Sequence, residues 1–426
     1  MPQRVAVVGG GWAGLAAAVQ ACTNGHEVTL FEMAPRLGGR SRAIPSAEMG
    51  LDNGQHILIG AYVQTLRLMR IVGVDPELAL LRTPLRLTDA QGLGLQLNDG
   101  APALAFAAAV LRHPRWTWRD KADLLQHAVG WAARGFKCGE TTTVAALTRG
   151  LRPSLRKELV EPLCVAALNT PAEEASAAVF LRVLNDALFS GRGASDLLLP
   201  RIGLSDCFPT PAEAWLRHSG ARVLAGTRIE QLEKSDQAWL VNDEAFAQVV
   251  LATTPGEAAR LTQAVAPRWA HTASQLRYEP IITVYLHCEG TRLPQPMVTL
   301  QSDATAPAQF VFDRGALGGP QGLLAFVISG AAPWLAQGIE AAEAAVRAQA
   351  KAALGHLLRA EPRTVRTLTE KRATFRCTPA LPRPSMSILP GLWAAGDHVQ
   401  GPYPATLEGA VRSGVAAANA LAAHLT

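Results

Sequence analysis

The sequence predicts an α/β protein in which a Rossmann-type dinucleotide-binding domain, assembled from discontinuous segments, is joined to an α+β substrate domain. Three observations carry this. A G-x-G-x-x-G turn follows a short β-branched run near the start of the chain, and a glycine pair flanked by arginines follows the next strand. At the far end, a Gly-Asp pair precedes a helix rich in small residues.

Residues 5–8 (VAVV) read as a strand buried on both faces, and the turn after it holds Gly9, Gly11 and Gly14. In this motif the first glycine makes the turn and the second lets the backbone approach a diphosphate. The third lets the helix pack on the strand. Trp12 and Ala13, between the last two glycines, are placed against the same ligand. A helix over 15–23 then points its N-terminal N–H groups and positive dipole end at the diphosphate. Asn24-Gly25 ends it, and residues 27–31 form the second strand. Glu32 closes that strand 18 residues after Gly14, followed by Met33. A carboxylate there accepts hydrogen bonds from the adenosine ribose and repels a 2′-phosphate. A ligand-free glycine turn is the alternative, and the arrival of strand, turn, helix, strand and acid in order argues against it. These residues alone do not separate NAD from FAD.

Continuing from Glu32, Arg36, Gly38, Gly39 and Arg40 spell E-x-x-x-R-x-G-G-R. This resembles the flavoprotein superfamily of amine oxidases, protoporphyrinogen oxidases and phytoene desaturases. The resemblance implies a Rossmann-type FAD-binding domain with FAD as cofactor, Gly39 approaching its diphosphate, and Arg36 and Arg40 supplying charge. Without it the glycines would read as a simple turn and the arginines as a solvated face. Residues 391–397 read as a buried strand ending in Gly396-Asp397, and 408–414 open the last helix. In the resembled superfamily the Gly-Asp pair contacts the diphosphate and ribityl chain. The final helix, preceded here by Ala405 and Thr406, aims its N-terminus at the flavin pyrimidine ring, where a dipole stabilises negative charge. The resemblance also brings Asn53, Gly54 and Gln55 to the cofactor. It makes 227–232 a strand touching adenine through Ile229, and sets Thr253 in the turn after a strand over 248–252.

Composition agrees with a large enzyme. At 426 residues the chain exceeds what one core usually supports, and 49% hydrophobic against 18% charged residues gives ample apolar material. A net charge of +5 without a lysine-rich run or a basic stripe studded with aromatics excludes nucleic acid as the main partner. The cysteines Cys22, Cys138, Cys164, Cys207, Cys288 and Cys377 lack metal-binding or C-x-x-C spacing, so no metal is expected. They read as buried, reduced thiols of a cytoplasmic protein. The chain enters a core strand directly, without a signal-peptide pattern. The longest apolar run, 101–111, is too short to span a bilayer. After it, Arg112, Arg115, Trp116, Trp118 and Arg119 interleave, and Trp131, Arg134 and Lys137 continue the theme around a helix over 120–133. Two readings stand: peripheral contact with the inner face of the cytoplasmic membrane, or a helix pair with core tryptophans and solvated arginines.

The expected division places residues 1–70, 204–255 and 389–426 in the nucleotide-binding domain. Residues 71–203, mainly helical, and 256–388 form the substrate domain. Helices are expected over 141–151, 152–168, 172–189, 211–218 and 338–358, and strands over 221–224, 281–286 and 323–328. An antiparallel sheet under helices would enclose an apolar tunnel.

The resemblance narrows at 52–62 (DNGQHILIGAY), 161–171 (EPLCVAALNTP), 194–201 (ASDLLLPR) and 404–410 (PATLEGA). These stretches are similar to the squalene-associated FAD-dependent desaturases known as hydroxysqualene dehydroxylases. That family reductively removes the hydroxyl of hydroxysqualene to give squalene, feeding hopanoid or sterol synthesis. The resemblance therefore implies an isoprenoid lipid substrate, and hydride transfer from reduced flavin to an allylic cation. Such chemistry needs a dry tunnel and a proton donor. His56, taken to lie in a strand near the flavin, is one candidate donor, with a structural role as its alternative. Tyr403, just before the last helix, is the other. The family pattern is close to Gly-Asp-Trp and Thr-Gly-Leu-Pro-Ala-Thr, and this chain departs from it at His398 and Tyr403. A carotenoid-type desaturase of long isoprenoids is a second reading. Amine oxidase is a third, less favoured because no aromatic pair stands out to cage an amine. A single dinucleotide fingerprint leaves re-reduction to a visiting nicotinamide or a separate reductase, so the electron donor is an unidentified partner.

Overall fold

The structure, a computed structural model, describes residues 2–44, 50–236 and 238–421. Met1 and residues 422–426, at the outer limits of the expected nucleotide-binding domain, lie outside the described residues.

Arg4–Val8 occupies the interior of a six-stranded sheet, in the order 387–389, 392–394, 248–251, 4–8, 27–32, 222–225. Neighbours run parallel except the outermost pair, 387–389 with 392–394. Parallel strands are covered on both faces, which is why 5–8 and 248–251 carry uninterrupted buried residues. The helix Trp12–Thr23, buried along nearly its whole length, packs against the last helix, Leu407–Ala420. Gly414 makes this crossing close: a Cβ there would stand 2.1 Å from the Ala13 carbonyl oxygen.

A second sheet is antiparallel throughout, in the order 297–299, 310–313, 323–328, 278–287, 363–375. Its side chains alternate between two covered faces. Ile282, Val284 and Leu286 meet Val346, Ala350 and Leu354 of the helix Ile339–Leu354. Tyr285, Phe310, Phe312 and Val327 face the opposite way, toward Leu197 and Leu199 of the strand Leu197–Pro200.

Helices form the third body. Pro102–Arg112, Trp118–Ala133 and Ala177–Leu188 surround a core of Phe106, Trp116, Trp131, Leu155, Phe180 and Leu181. A Thr117/Asp120 capping box starts the second of them. The helix expected over 152–168 is present with a π-helical insert, Arg156–Val160, immediately before Glu161–Leu168. Pro162 accounts for the insert, because it has no N–H to donate and its ring crowds the preceding turn.

Several expectations need correction. The helix over 141–151 shrinks to Val144–Leu147, capped by Thr143. Residues 227–231 are not a strand; pairing starts at Leu232–Lys234. The Asn242 side chain takes the N–H groups of Glu230 and Gln231, while Arg260 takes the carbonyls of Ile229 and Glu230, so no ladder forms. His56 is not in a strand either, for Leu58–Ile59 begins two residues later. Gly54, at φ +119°, turns the backbone just before it. All six cysteines are free, four of them buried, with Cys22 and Cys138 only half-buried. Among the described residues no helix is long and apolar enough to cross a membrane.

Candidate functional site

The two glycine motifs build the first part of the site. Gly9 has φ +110°, and a Cβ on it would stand 2.5 Å from the Ala252 carbonyl oxygen. A Cβ on Gly14 would overlap the Gly9 carbonyl oxygen at 1.8 Å. Gly11 differs: its nearest neighbour would be the Gly39 Cα at 3.8 Å, so its open side faces the cavity. The Gly38 N–H donates to the Gly10 carbonyl at 2.8 Å, holding the second glycine pair against the first. The result is a bare-backbone cradle at the N-terminus of Trp12–Thr23, which fits a diphosphate.

Glu32 ends its strand beside this cradle. Its carboxylate accepts the N–H groups of Gly10 at 2.7 Å and Ala34 at 2.8 Å, and each oxygen keeps a lone pair for a ribose hydroxyl. Ile229, Thr253 and Met33 line the same cavity, Met33 while largely exposed. Arg36 is exposed and outside the lining, so the structure does not bring it to the others.

Next to Gly39 of the cradle, Arg40 forms an ion pair with Asp397 at 2.6 Å and donates to the carbonyls of Arg372 and Ala373. Burial pushes the Asp397 carboxyl up, but Arg40 and His398 more than offset it, leaving it well below the usual carboxylate range. Gly396 and Asp397 follow the strand Leu392–Ala394, and Asn53 donates to the Arg40 carbonyl at 3.0 Å. Gln55 accepts from Arg314 at 3.1 Å, and Gly54 lines the wall beside it. Ala405 and Thr406 lead into the last helix, where Thr406 accepts the Gly409 N–H at 3.0 Å. That helix start also lines the cavity. His398 Nε2 is buried without a partner among the described residues, an atom that a bound cofactor would satisfy.

The two proton-donor candidates differ in surroundings. His56 Nε2 lies 3.0 Å from the Ser41 hydroxyl and Nδ1 lies 3.1 Å from the Gly54 carbonyl, so both ring nitrogens are engaged. Burial lowers its pKa, the Gly54 carbonyl counteracts, and Arg40 lowers it further; the net direction favours neutral imidazole. The Tyr403 hydroxyl donates to Asp186 at 2.9 Å and accepts from Arg182 at 2.9 Å. Arg182 and Arg412 each lie 5.2 Å from its ring. Burial raises the Tyr403 pKa, and Asp186 reinforces this.

The cradle, Glu32, Asp397, His56 and Tyr403 all border one cavity of about 1400 Å³. An ordinary small-molecule pocket holds about 300–1,000 Å³, so there is room for more than a dinucleotide. From the cradle it runs between the antiparallel sheet, at Ile281, Phe310 and Val327, and the helices, at Phe106, Trp116 and Trp131. Sequence reasoning missed Asp186, Tyr62 and His398 as lining groups, and Arg182 beside them. The i, i+4 spacing of Arg182 and Asp186 signals an ion pair, but nothing local signals that it meets Tyr403, which is more than 200 residues away in the chain.

A glycine cradle on a helix N-terminus, an acid at the end of the adjoining strand and a C-terminal helix whose start lines the same cavity are the features of an FAD-dependent oxidoreductase. Residues 12–422 match the family described as flavin containing amine oxidoreductase, and the chain belongs to that family. It is similar to a hydroxysqualene dehydroxylase of Sinorhizobium fredii, 28% identical over 98% of this chain and 98% of the relative. A zeta-carotene desaturase of Synechocystis is 24% identical over 99% of this chain and 97% of its own. In fold it resembles cyclohexylamine oxidase from Brevibacterium oxydans, with a TM-score of 0.71, 16% identity and complete coverage of both chains.

Proposed function

We propose that this enzyme reductively removes the hydroxyl of hydroxysqualene, a long isoprenoid alcohol, leaving squalene. The observation that carries this reading is the shape and lining of the cavity. A nucleotide cradle opens into a long apolar space walled in part by Tyr403 and Asp186, a half-buried polar pair that Arg182 joins from beside the cavity. The near-full-length similarity to hydroxysqualene dehydroxylase supports the choice of substrate. Gly9, Gly11, Gly14, Gly39 and Glu32 would hold FAD, with Asp397 and the last helix completing its site. When bound and reduced, FAD supplies the hydride.

The chain's residues do the rest. Phe106, Trp116, Phe180 and Phe310 line an apolar channel that excludes water from the reacting carbon. Tyr403 passes its proton to the substrate hydroxyl, whose C–O bond breaks with the electron pair leaving as water. Arg182 and Arg412, packed on its ring, offset the charge left on the phenolate oxygen. The carbon then accepts hydride, so the products are squalene, water and oxidised cofactor. His56, engaged through both nitrogens, takes the positioning role and holds Ser41 and Gly54 beside the cofactor.

The test is anaerobic mixing of reduced holoenzyme with hydroxysqualene, following flavin reoxidation and analysing the extracted lipid by mass. Reoxidation with squalene formed is expected, and Tyr403→Phe should slow it about a hundredfold with flavin content unchanged. The similarity to zeta-carotene desaturase favours a second reading, desaturation of a long polyene precursor. Inertness toward hydroxysqualene, with bleaching of oxidised flavin by such a polyene, would establish that instead.

A further inference from the structure

The helices Pro102–Arg112 and Trp118–Ala133 bury apolar side chains inward and also expose large ones outward. Their inner residues, Phe106, Leu124 and Trp131 among them, line the cavity. Outward, Leu104 is 73% exposed, Leu111 45%, Trp118 74% and Val129 68%. These are half of the large exposed hydrophobic side chains of the described residues, gathered on one hairpin. Leu104 with Leu111, and Trp118 with Val129, recur at helical spacing, so each pair forms one stripe. Lys121 joins the stripes: its ammonium donates to the Leu111 carbonyl at 2.7 Å and lies 5.0 Å from the Trp118 ring.

The charge around the stripes has one sign. Arg112, Arg119 and Arg134 are exposed and have no ion-pair partner among the described residues. The hairpin's acids are turned inward. Asp120 is buried against Thr117, Ser154 and Arg152, and Asp123 accepts the Arg152 N–H and lies beside His127. Apolar stripes edged by unpaired arginines match a surface that is oily inside and negative at its headgroups.

We propose that this hairpin docks on an anionic phospholipid bilayer, placing the helical end of the cavity against the lipid. The isoprenoid reading above gives the contact its purpose, since an apolar substrate would reach the cavity without crossing water. Trp116 and Trp131, both buried, take no part in the contact and belong to the core. Trp118 is the tryptophan that touches lipid.

Holoenzyme would be co-sedimented with phosphatidylcholine vesicles, with and without phosphatidylglycerol. Binding is expected to the anionic vesicles. The variant L104S/W118S/V129S should bind on the order of a hundredfold more weakly, with flavin content and turnover on detergent-dispersed substrate unchanged. The pair V63S/L78S, exposed elsewhere, should bind as the parent does. R112E/R119E should lose binding to anionic vesicles and leave flavin content intact. Equal sedimentation of parent and triple variant would overturn the proposal. So would a lipid-free dimer that the triple variant dissociates, because a second copy would then cover the stripes. Absent vesicle binding with intact hydroxysqualene turnover would defeat the docking alone, whereas binding without turnover would defeat the substrate reading alone.

Discussion

Gly11 and Gly14 lie in one turn, and replacing each by alanine should separate cofactor binding from folding. At Gly11 the backbone is extended, at φ −75° and ψ 179°, which alanine adopts freely, and the added Cβ meets nothing closer than 3.8 Å. Losing glycine at a helix N-cap costs about 0.5–1 kcal/mol. The narrower unfolded ensemble of alanine returns about 0.4–1 kcal/mol. Apoprotein stability should therefore stay within about 1 kcal/mol of the parent. The methyl instead fills space that the diphosphate needs, and overpacking of about 1–3 kcal/mol weakens FAD by roughly 10- to 100-fold. Gly14→Ala is the opposite case. Its Cβ falls 1.8 Å from a backbone oxygen that no rotamer can move, so the first strand and helix must separate. A loss of more than about 4 kcal/mol is expected. Urea denaturation of the apoproteins and flavin titration by fluorescence quenching read the two quantities independently. Parent-like flavin affinity in Gly11→Ala, or destabilisation of its apoprotein to match Gly14→Ala, would refute the assignment of the open side of Gly11 to the cofactor.

Glu32→Gln keeps the shape but turns an amide N–H₂ toward one of the two backbone N–H groups the carboxylate accepts; flavin retained after dialysis should fall about tenfold. Arg40→Met leaves the Asp397 carboxylate buried beside His398 without its guanidinium, and urea unfolding should show a loss of about 3 kcal/mol. Because the folded Asp397 pKa is depressed, the pair's contribution is present above the ordinary carboxylate range near 4 and is lost on acidification below it. His113 is stacked on Trp116 at 3.7 Å, and burial, with Arg115 and Lys121 nearby, pushes its pKa down to about 4. A lowered folded value means stability is fully present above about 6.5 and drains away as pH falls toward 4. His113→Phe should flatten that part of a Tm-against-pH profile.

What the sequence revealed, and what it hid, divides along physical lines. The nucleotide-binding strands, glycines and Glu32 were legible because each rests on a local rule: a buried β-branched run, a turn only glycine can make, an acid at a strand end. The same holds for 323–328, observed as Leu323–Ile328. The strand Arg363–Phe375 was not found, because its sequence, RTVRTLTEKRATF, is charged and half-exposed and pairs mainly along one edge. Residues 227–231 look like a strand but spend their hydrogen bonds on Asn242 and Arg260, partners distant in the chain. In the tryptophan-rich segment Trp116 and Trp131 are core, while Trp118 faces outward, because adjacent turns of one hairpin face opposite ways. The cluster around Tyr403 was invisible for a related reason: it joins two helices that only the finished tertiary structure brings together.

The crossing of Trp12–Thr23 with Leu407–Ala420 at Gly414 makes the cavity depend on a long-range closure. The glycine cradle and the helix that completes the cavity lie far apart in the chain and must find one another. Until then the apolar face of the first helix has no cover from its final partner. Stable cofactor capture therefore depends on closing a long loop of chain, and bound flavin, by favouring the closed form, helps keep that face covered.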